Sequence, residues 1–188
     1  MTTSIPLKPS AELHKNPLIS FGRGICTYSE VMSSDIEPAI DFLLNEAEKA
    51  VAHAVDPSTP ANWDDLLEPL EDATEALSRS WGVISHLNSV ADTPELRAAY
   101  GGMIPKVTAF FSSLGQNLAL YQKFKELSQS SSYTTLSVAQ KKVIENSLRD
   151  FRLGGAELSD SQKPRFAAIM RRRWRCTRRW RRTSGTAP

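Results

Sequence analysis

The chain has 188 residues, 40% of them apolar and 23% charged, which suits one soluble globular domain or the front part of a larger one. That balance excludes disordered and collagen-like classes, and two distant cysteines, Cys26 and Cys176, build neither a disulfide framework nor a cysteine-based zinc site. The net charge of +2 hides a partition: eight arginines fall between Arg171 and Arg182 with no acid among them, while the other 15 basic residues face 21 acids, so Met1–Met170 carries a net −6.

Met1 to Ser20 has no continuous apolar core, because Lys8, Glu12, His14 and Lys15 are scattered through it, and no later stretch is long and apolar enough for a membrane span. A cytoplasmic location is expected. Residues 1–33 mix Pro6, Pro9, Pro17, Gly22 and Gly24 with isolated apolar residues, without helical or strand period, and read as an arm laid over the body. Ser34 and Glu37 have capping-box spacing, and Ile36, Ile40, Leu43, Leu44, Ala47, Val51 and Val55 then recur every three or four residues. They predict an amphipathic helix ending before Asp56–Pro57.

A second helical stretch enters through Thr59–Pro60. Trp63, Leu70, Leu77, Ile84 and Ala91 fall seven apart, with Leu67, Thr74 and Trp81 on an adjacent seam. Pro69 predicts either a separate first turn or a bend. Thr93–Pro94–Glu95 starts a third helix, carried by Leu96, Tyr100, Met103, Val107, Phe110, Leu114, Leu118, Tyr121 and Phe124 as far as Leu127. The short connection makes it an antiparallel neighbour of the second, and Gly101, Gly102 and Pro105 predict a kink or short break. Ser128–Thr135 reads as a polar loop. Ser137 and Gln140 then form a capping box, Val143, Ile144, Leu148 and Phe151 a buried stripe, and Gly154–Gly155 a stop. A last helix starts near Ser159 or Asp160 with Phe166 and Ile169. No alternating strand pattern or internal repeat occurs, so the fold class is all-α, built from antiparallel long-helix hairpins. The divisions are 1–33 arm, 34–170 helical domain and 171–188 tail.

Candidate chemistry is sparse. His14, His53 and His86 lie in separate elements, none four residues from another, so no helical zinc pair exists. His53, near a helix C-terminus, reads as a capping group; His86 reads as a partly buried histidine bonded to a neighbouring helix rather than a general base. Asp64, Asp65, Glu68, Glu71, Asp72 and Glu75 could chelate a cation, but crowd a helix start where the dipole favours negative charge. Gly22–Arg23–Gly24 is too short for a phosphate loop, and Cys26 has no neighbouring cation to activate it. No catalytic, cofactor-binding or metal residue is assigned.

In the tail, Trp174 and Trp180 interleave with the arginines, a composition suited to phosphates, stacked bases or an anionic membrane surface. The helical period stops at Met170, however, and Arg, Trp, Cys, Gly, Pro, Ala and Thr are what GC-rich DNA yields out of frame. The out-of-frame origin is the preferred reading.

The run Arg79, Trp81, Gly82, Val83, Ser85, His86, Leu87, Asn88, Ser89, Val90, Asp92, Thr93, Pro94, Glu95, Leu96, Arg97 and Tyr100 resembles the N-terminal helical region of the thimet-type zinc oligopeptidases, in their bacterial oligopeptidase A branch. Ile36–Ile40, Gln116–Tyr121 with Phe124, Leu136, Gln140, and Leu148–Phe151 with Leu153 and Gly155–Leu158 continue the match in order. The resemblance, over roughly Ser34–Ile169, implies a cytoplasmic helical metalloendopeptidase acting on short peptides in a channel between two helical domains. It implies a zinc site on an HExxH helix with a downstream glutamate, the first glutamate being the general base. No HExxH occurs here, so no ligand or catalytic residue carries over. The expectation is a truncated N-terminal fragment, inactive alone, whose partners would be short peptides or a missing catalytic domain. The alternative is a module binding nucleic acid or anionic membrane through its tail.

Overall fold

A computed structural model describes residues 13–91, 93–159, 161, 162, 164–166, 168 and 169, and among these there is no strand. After the short helix α1 (Pro17–Ser20), flanked by the 3-10 turns Leu13–Lys15 and Tyr28–Glu30, the body is built around α2 (Ser33–Val55), which packs against both α3 (Glu68–Val90) and α4 (Pro94–Gly115). The centre of α2 buries Ile36, Ile40, Leu43 and Leu44, and its flanks bury Ala39, Ala47, Ala50 and Ala54. The alanines let neighbouring helices approach closely, while Val51 and Val55 are only partly buried, because a 3.6-residue period drifts off any fixed three-and-four count. Each fully buried Leu, Ile or Phe contributes about 1.5–3 kcal/mol against the exposed state.

The N-terminal cap of α2 differs from the expected Ser34–Glu37 box. Met32 is the cap residue, and its N–H donates to Asp35 Oδ2 at 2.8 Å. The Asp35 carboxylate, three residues after the cap, does what the glutamate of a capping box does, two residues earlier than expected.

Of the two outcomes that Pro69 allowed, the separate first turn is found. Residues Trp63–Leu67 form a π-helical turn entered through Asn62, whose side chain accepts from Asp65 N at 2.8 Å, and α3 begins at Glu68 with Pro69 in its first turn. The wider turn closes on Glu68 N, the last donor before a residue that has none, so the proline falls where a missing N–H costs least. The seven-residue seam then buries Leu70, Leu77 and Ile84. Phe42 and Leu43 share a cavity with Ala76 and Ser80, the register of an antiparallel hairpin closed by the 56–62 loop. The α3–α4 pair is antiparallel as well: Trp81 stacks on Tyr100 at 4.8 Å and 17° near the connection, and Leu70 and Thr74 lie opposite Phe111 and Leu114 at the far end.

Of the kink or short break expected at Gly101–Pro105, the break is absent: the helix runs through from Pro94 to Gly115 with Pro105 inside it. Only one backbone bond is lost at Pro105, and the residue whose carbonyl its ring crowds is Gly101. The real interruption is at Gln116–Asn117. Asn117 Oδ1 accepts from Leu120 N at 3.0 Å and caps a new helix, α5 (Leu118–Gln129), so the single helix expected to reach Leu127 is two. The expected loop 128–135 is also helical in part: α6 (Ser131–Thr135) is capped by the Ser130 hydroxyl.

Helix α7 (Val138–Gly154) opens with the Ser137–Gln140 capping box and buries Ile144 and Phe151, while Val143 faces solvent. It ends in a Schellman arrangement: Gly155 has φ +94°, its N–H donates to Arg152 O at 3.1 Å, and Ala156 N donates to Phe151 O at 3.0 Å. One residue earlier, Gly154 lies directly on the last turn of α4, where a methyl group would stand 2.6 Å from Gly115 O. For the last helix, expected from near Ser159 or Asp160, the described residues show a turn at 161–162, in which Gln162 accepts from Ser159 N, and helical geometry at 164–166.

Residues 13–31 lie over the α2–α3 face. Leu18 is 1% exposed, its carbonyl accepts from Ser80 Oγ at 2.6 Å, and Asn16 Nδ2 donates to Asp35 O at 2.9 Å. Arg79 donates to Gly24 O while its guanidinium covers the Phe21 ring at 5.4 Å. Residues 1–12 and 170–188, and with them the tail, lie outside the described residues.

Candidate functional site

The first turns of α3, the end of α4, α5 and α7 leave a groove of about 370 Å³ between them. Its walls are Leu70, Phe111, Leu114, Leu120, Phe124 and Phe151, and its polar edge is Glu71, Thr74, Ser147 and Asp150. The rings of Phe124 and Phe151 meet edge to face at 5.4 Å, which fixes the floor. Phe110 and Phe111 are adjacent in sequence but divide: Phe110 enters the core and Phe111 is partly exposed toward the groove.

The rim is acidic. Thr74 Oγ1 turns inward to Leu70 O and Glu71 O, so it satisfies its own helix rather than Glu71. The Glu71 carboxyl has no cation partner among the described residues. Burial first, and then the Glu75 and Asp72 carboxylates, hold its pKa above the usual range; the residue nonetheless keeps much of its surface in water, which limits the effect. Asp150, across the groove on α7, accepts from Arg149 Nε at 3.2 Å in an exposed pair. An apolar floor with a carboxylate rim accepts an apolar group flanked by cations; it holds no nucleophile–base pair.

The histidines do not form a site. His14 is exposed at the mouth of a second cavity of about 320 Å³ under the arm, and His53 is exposed in the last turn of α2. His86 is exposed too, with its ring edge-to-face on Tyr28 at 5.3 Å, so the partly buried, helix-bonded histidine expected there is not found. The apolar contact it makes comes from the arm, which sequence spacing on α3 alone does not reveal. Among the described residues no three of His, Cys, Asp and Glu converge as metal ligands. Burial, and then Glu30, push the Cys26 thiol up, away from a reactive thiolate. Of the acidic run, Asp65 accepts from Asn62, Asp72 pairs with Arg23, and Glu75 stands 3.7 Å from Arg79. Gly22 (φ +48°), Arg23 and Gly24 thus serve to fasten the arm to α3.

The groove was legible only in pieces. Phe124 and Phe151 stood in the apolar stripes and Glu71 in the acidic run, but the turn at Gln116–Asn117 brings them together, and the Gly115–Gln116–Asn117 stop-and-start was the signal for it.

The pattern of the N-terminal domain of neurolysin and thimet oligopeptidase matches residues 40–163. Oligopeptidase A of Escherichia coli (strain K12) is 34% identical over 145 residues, 77% of this chain and 21% of its own length. Oligopeptidase A of Haemophilus influenzae is 34% identical over 157 residues, 84% of this chain and 23% of its own, and the "Probable cytosolic oligopeptidase A" of Arabidopsis thaliana is 34% identical over 160 residues, 84% and 22% respectively. The chain spans about a fifth of the length of these relatives. Among the described residues no helix is long and apolar enough to cross a membrane. By this match over most of its ordered helices, the chain belongs to the neurolysin/thimet oligopeptidase family, in its N-terminal all-helical domain.

Proposed function

We propose that this chain is a helical wall of an oligopeptidase A-type zinc peptidase, acting on short cytoplasmic peptides only when a catalytic polypeptide is present, and inactive by itself. The observation that carries the reading is the 34% identity confined to about a fifth of the relatives' length. The residues present do not fit zinc. His14, His53 and His86 stand on three separate elements, and the sequence holds no HExxH. A zinc-bound water needs three well-placed ligands, an open fourth position and a base within hydrogen-bond reach. What this chain offers instead is scaffold and an apolar, acid-rimmed surface.

The test is turnover of a fluorogenic short peptide by the purified chain with added zinc, alone and after mixing with the catalytic remainder of a relative. No turnover alone is expected, and chelator-sensitive turnover by the chain alone would overturn the reading. The tail composition supports a second reading, in which its arginines grip nucleic acid or an anionic membrane; such binding must weaken steeply as salt rises.

A further inference from the structure

We infer that the groove between α3, α4, α5 and α7 binds an aromatic group carrying one primary ammonium, with the ring on the Phe124–Phe151 floor and the ammonium at Glu71. Hydrogen-bond polarity is the first ground. Of the four polar residues on the rim, two carry hydroxyls, and both hydroxyl protons are committed to their own helices: Thr74 Oγ1 donates to Leu70 O at 2.8 Å, and Ser147 Oγ donates to Val143 O at 3.0 Å. What they have left to offer is lone pairs. The other two, Glu71 and Asp150, are carboxylates. The rim therefore accepts without donating, and a ligand that satisfies it must bring donors.

Charge selects among donors. Asp150 is paired with Arg149, and the neighbours of Glu71 on α3, Asp72 and Glu75, are paired with Arg23 and Arg79. Glu71 alone of these has no cation partner among the described residues. No lysine, arginine or histidine is among the described residues that line the groove, and Leu114 and Gly115 bring to it the end of α4, a 22-residue helix with no basic residue in its last turn. An open carboxylate and the negative end of a helix dipole thus border one cavity without a cation of their own. Burial and the adjacent carboxylates make Glu71 hold its proton more tightly than usual, as negative charge without compensation does, and one bound cation relieves that.

Shape sets the rest. A volume of about 370 Å³ lies at the lower end of ligand pockets, which run from about 300 to 1,000 Å³, so the groove suits one ring on a short arm rather than an extended chain. Phe124 and Phe151 already meet edge to face on the floor, and the partly exposed Phe111 stands on the α4 wall, so an aromatic guest finds ring partners on more than one side. Two sources supply this chemistry: a free arylalkylamine, and the free N-terminus of a peptide whose first residue is aromatic. The inference stands on the groove's own lining, whether or not the chain walls a peptidase.

The test is titration of the full-length chain with phenethylamine, the neutral phenethyl alcohol and the anionic phenylacetate, followed by backbone amide chemical shifts. Saturable shifts at Phe111, Leu114, Phe124 and Phe151 are expected with the amine. The alcohol and the anion should bind at least about tenfold more weakly, since a charge-assisted hydrogen bond is worth about that factor or more. Glu71→Gln keeps the side-chain shape at an exposed position and should abolish the preference for the amine. Asp150→Asn, which removes a carboxylate already paired, should change it less than about threefold. Phenylalanylglycinamide binding more tightly than phenethylamine would support the inference with peptide N-termini as the source, and weaker binding would support it with free amines as the source. Its N-acetylated form should bind no better than the alcohol. Equal affinity for amine and alcohol, shifts absent from the groove or spread evenly along Asp64–Glu68, or equal losses in the two variants would overturn the inference.

Discussion

Gly154 brings the ends of α4 and α7 into close backbone contact, and this yields an asymmetric prediction. A methyl group at Gly154 would lie 2.6 Å from Gly115 O, 3.3 Å from its C and 3.6 Å from its Cα. Carbon–oxygen contact begins near about 3.3 Å, so Gly154→Ala must push the two helix ends about 0.7 Å apart, and backbone cannot rotate aside as a side chain would. Overpacking of this kind costs about 1–3 kcal/mol, and alanine's better helix propensity returns at most about 0.5–1 of it. A methyl group at Gly115, by contrast, would meet nothing within 4 Å, and Gly115 is not among the glycines of positive φ. Gly115→Ala should therefore be neutral or stabilise by up to about 1 kcal/mol through the unfolded chain. For a domain of this size each kcal/mol moves the midpoint about 2–4 °C, so the two variants should straddle the wild type in thermal and urea unfolding followed by circular dichroism. Equal shifts of the same sign, or a Gly154→Ala protein at least as stable as wild type, would refute the reasoning.

Gly155→Ala puts a Cβ into a φ of +94° and within 2.9 Å of Leu158 Cδ1, so a loss of about 1–2 kcal/mol is expected from urea unfolding. Ser80→Ala leaves the buried Leu18 carbonyl without its donor; about 1–3 kcal/mol should be lost, with faster amide exchange through Leu18–Gly24 as the local readout. Tyr121 donates to Glu157, and that hydrogen bond, followed by burial, raises the phenol's pKa. The folded state then holds its proton more tightly than the unfolded chain, so this stabilisation is complete below about pH 10 and is lost as pH rises toward the raised value. Tyr121→Phe should remove that alkaline component from a pH series of denaturation midpoints and cost about 1 kcal/mol at neutral pH.

The helical class and most buried stripes were legible because they depend on spacing alone. Ile36, Ile40, Leu43 and Leu44 on α2, Leu70, Leu77 and Ile84 on α3, and Leu96, Met103, Val107 and Phe110 on α4 are buried where their period places them. What failed was the punctuation of the third predicted helix. Gly101, Gly102 and Pro105 carry stronger breaker residues than Gly115, Gln116 and Asn117, yet only the second group ends a helix. The difference lies in what happens to the freed backbone groups. Pro105 removes one donor, and the helix on either side loses nothing else by continuing. At Gln116–Asn117 the Asn117 side chain supplies a new acceptor for Leu120 N, so turning the chain creates bonds as well as breaking them. The site was obscured for the same reason. A groove assembled from Glu71, Phe111, Phe124 and Phe151 has no sequence period, because its existence depends on the chain turning between Phe111 and Phe124. That turn lets Gly154 close on Gly115, and α7 then brings Asp150 opposite Glu71. One asparagine cap thus decides whether the acids of α3 face open solvent or one lip of an apolar groove.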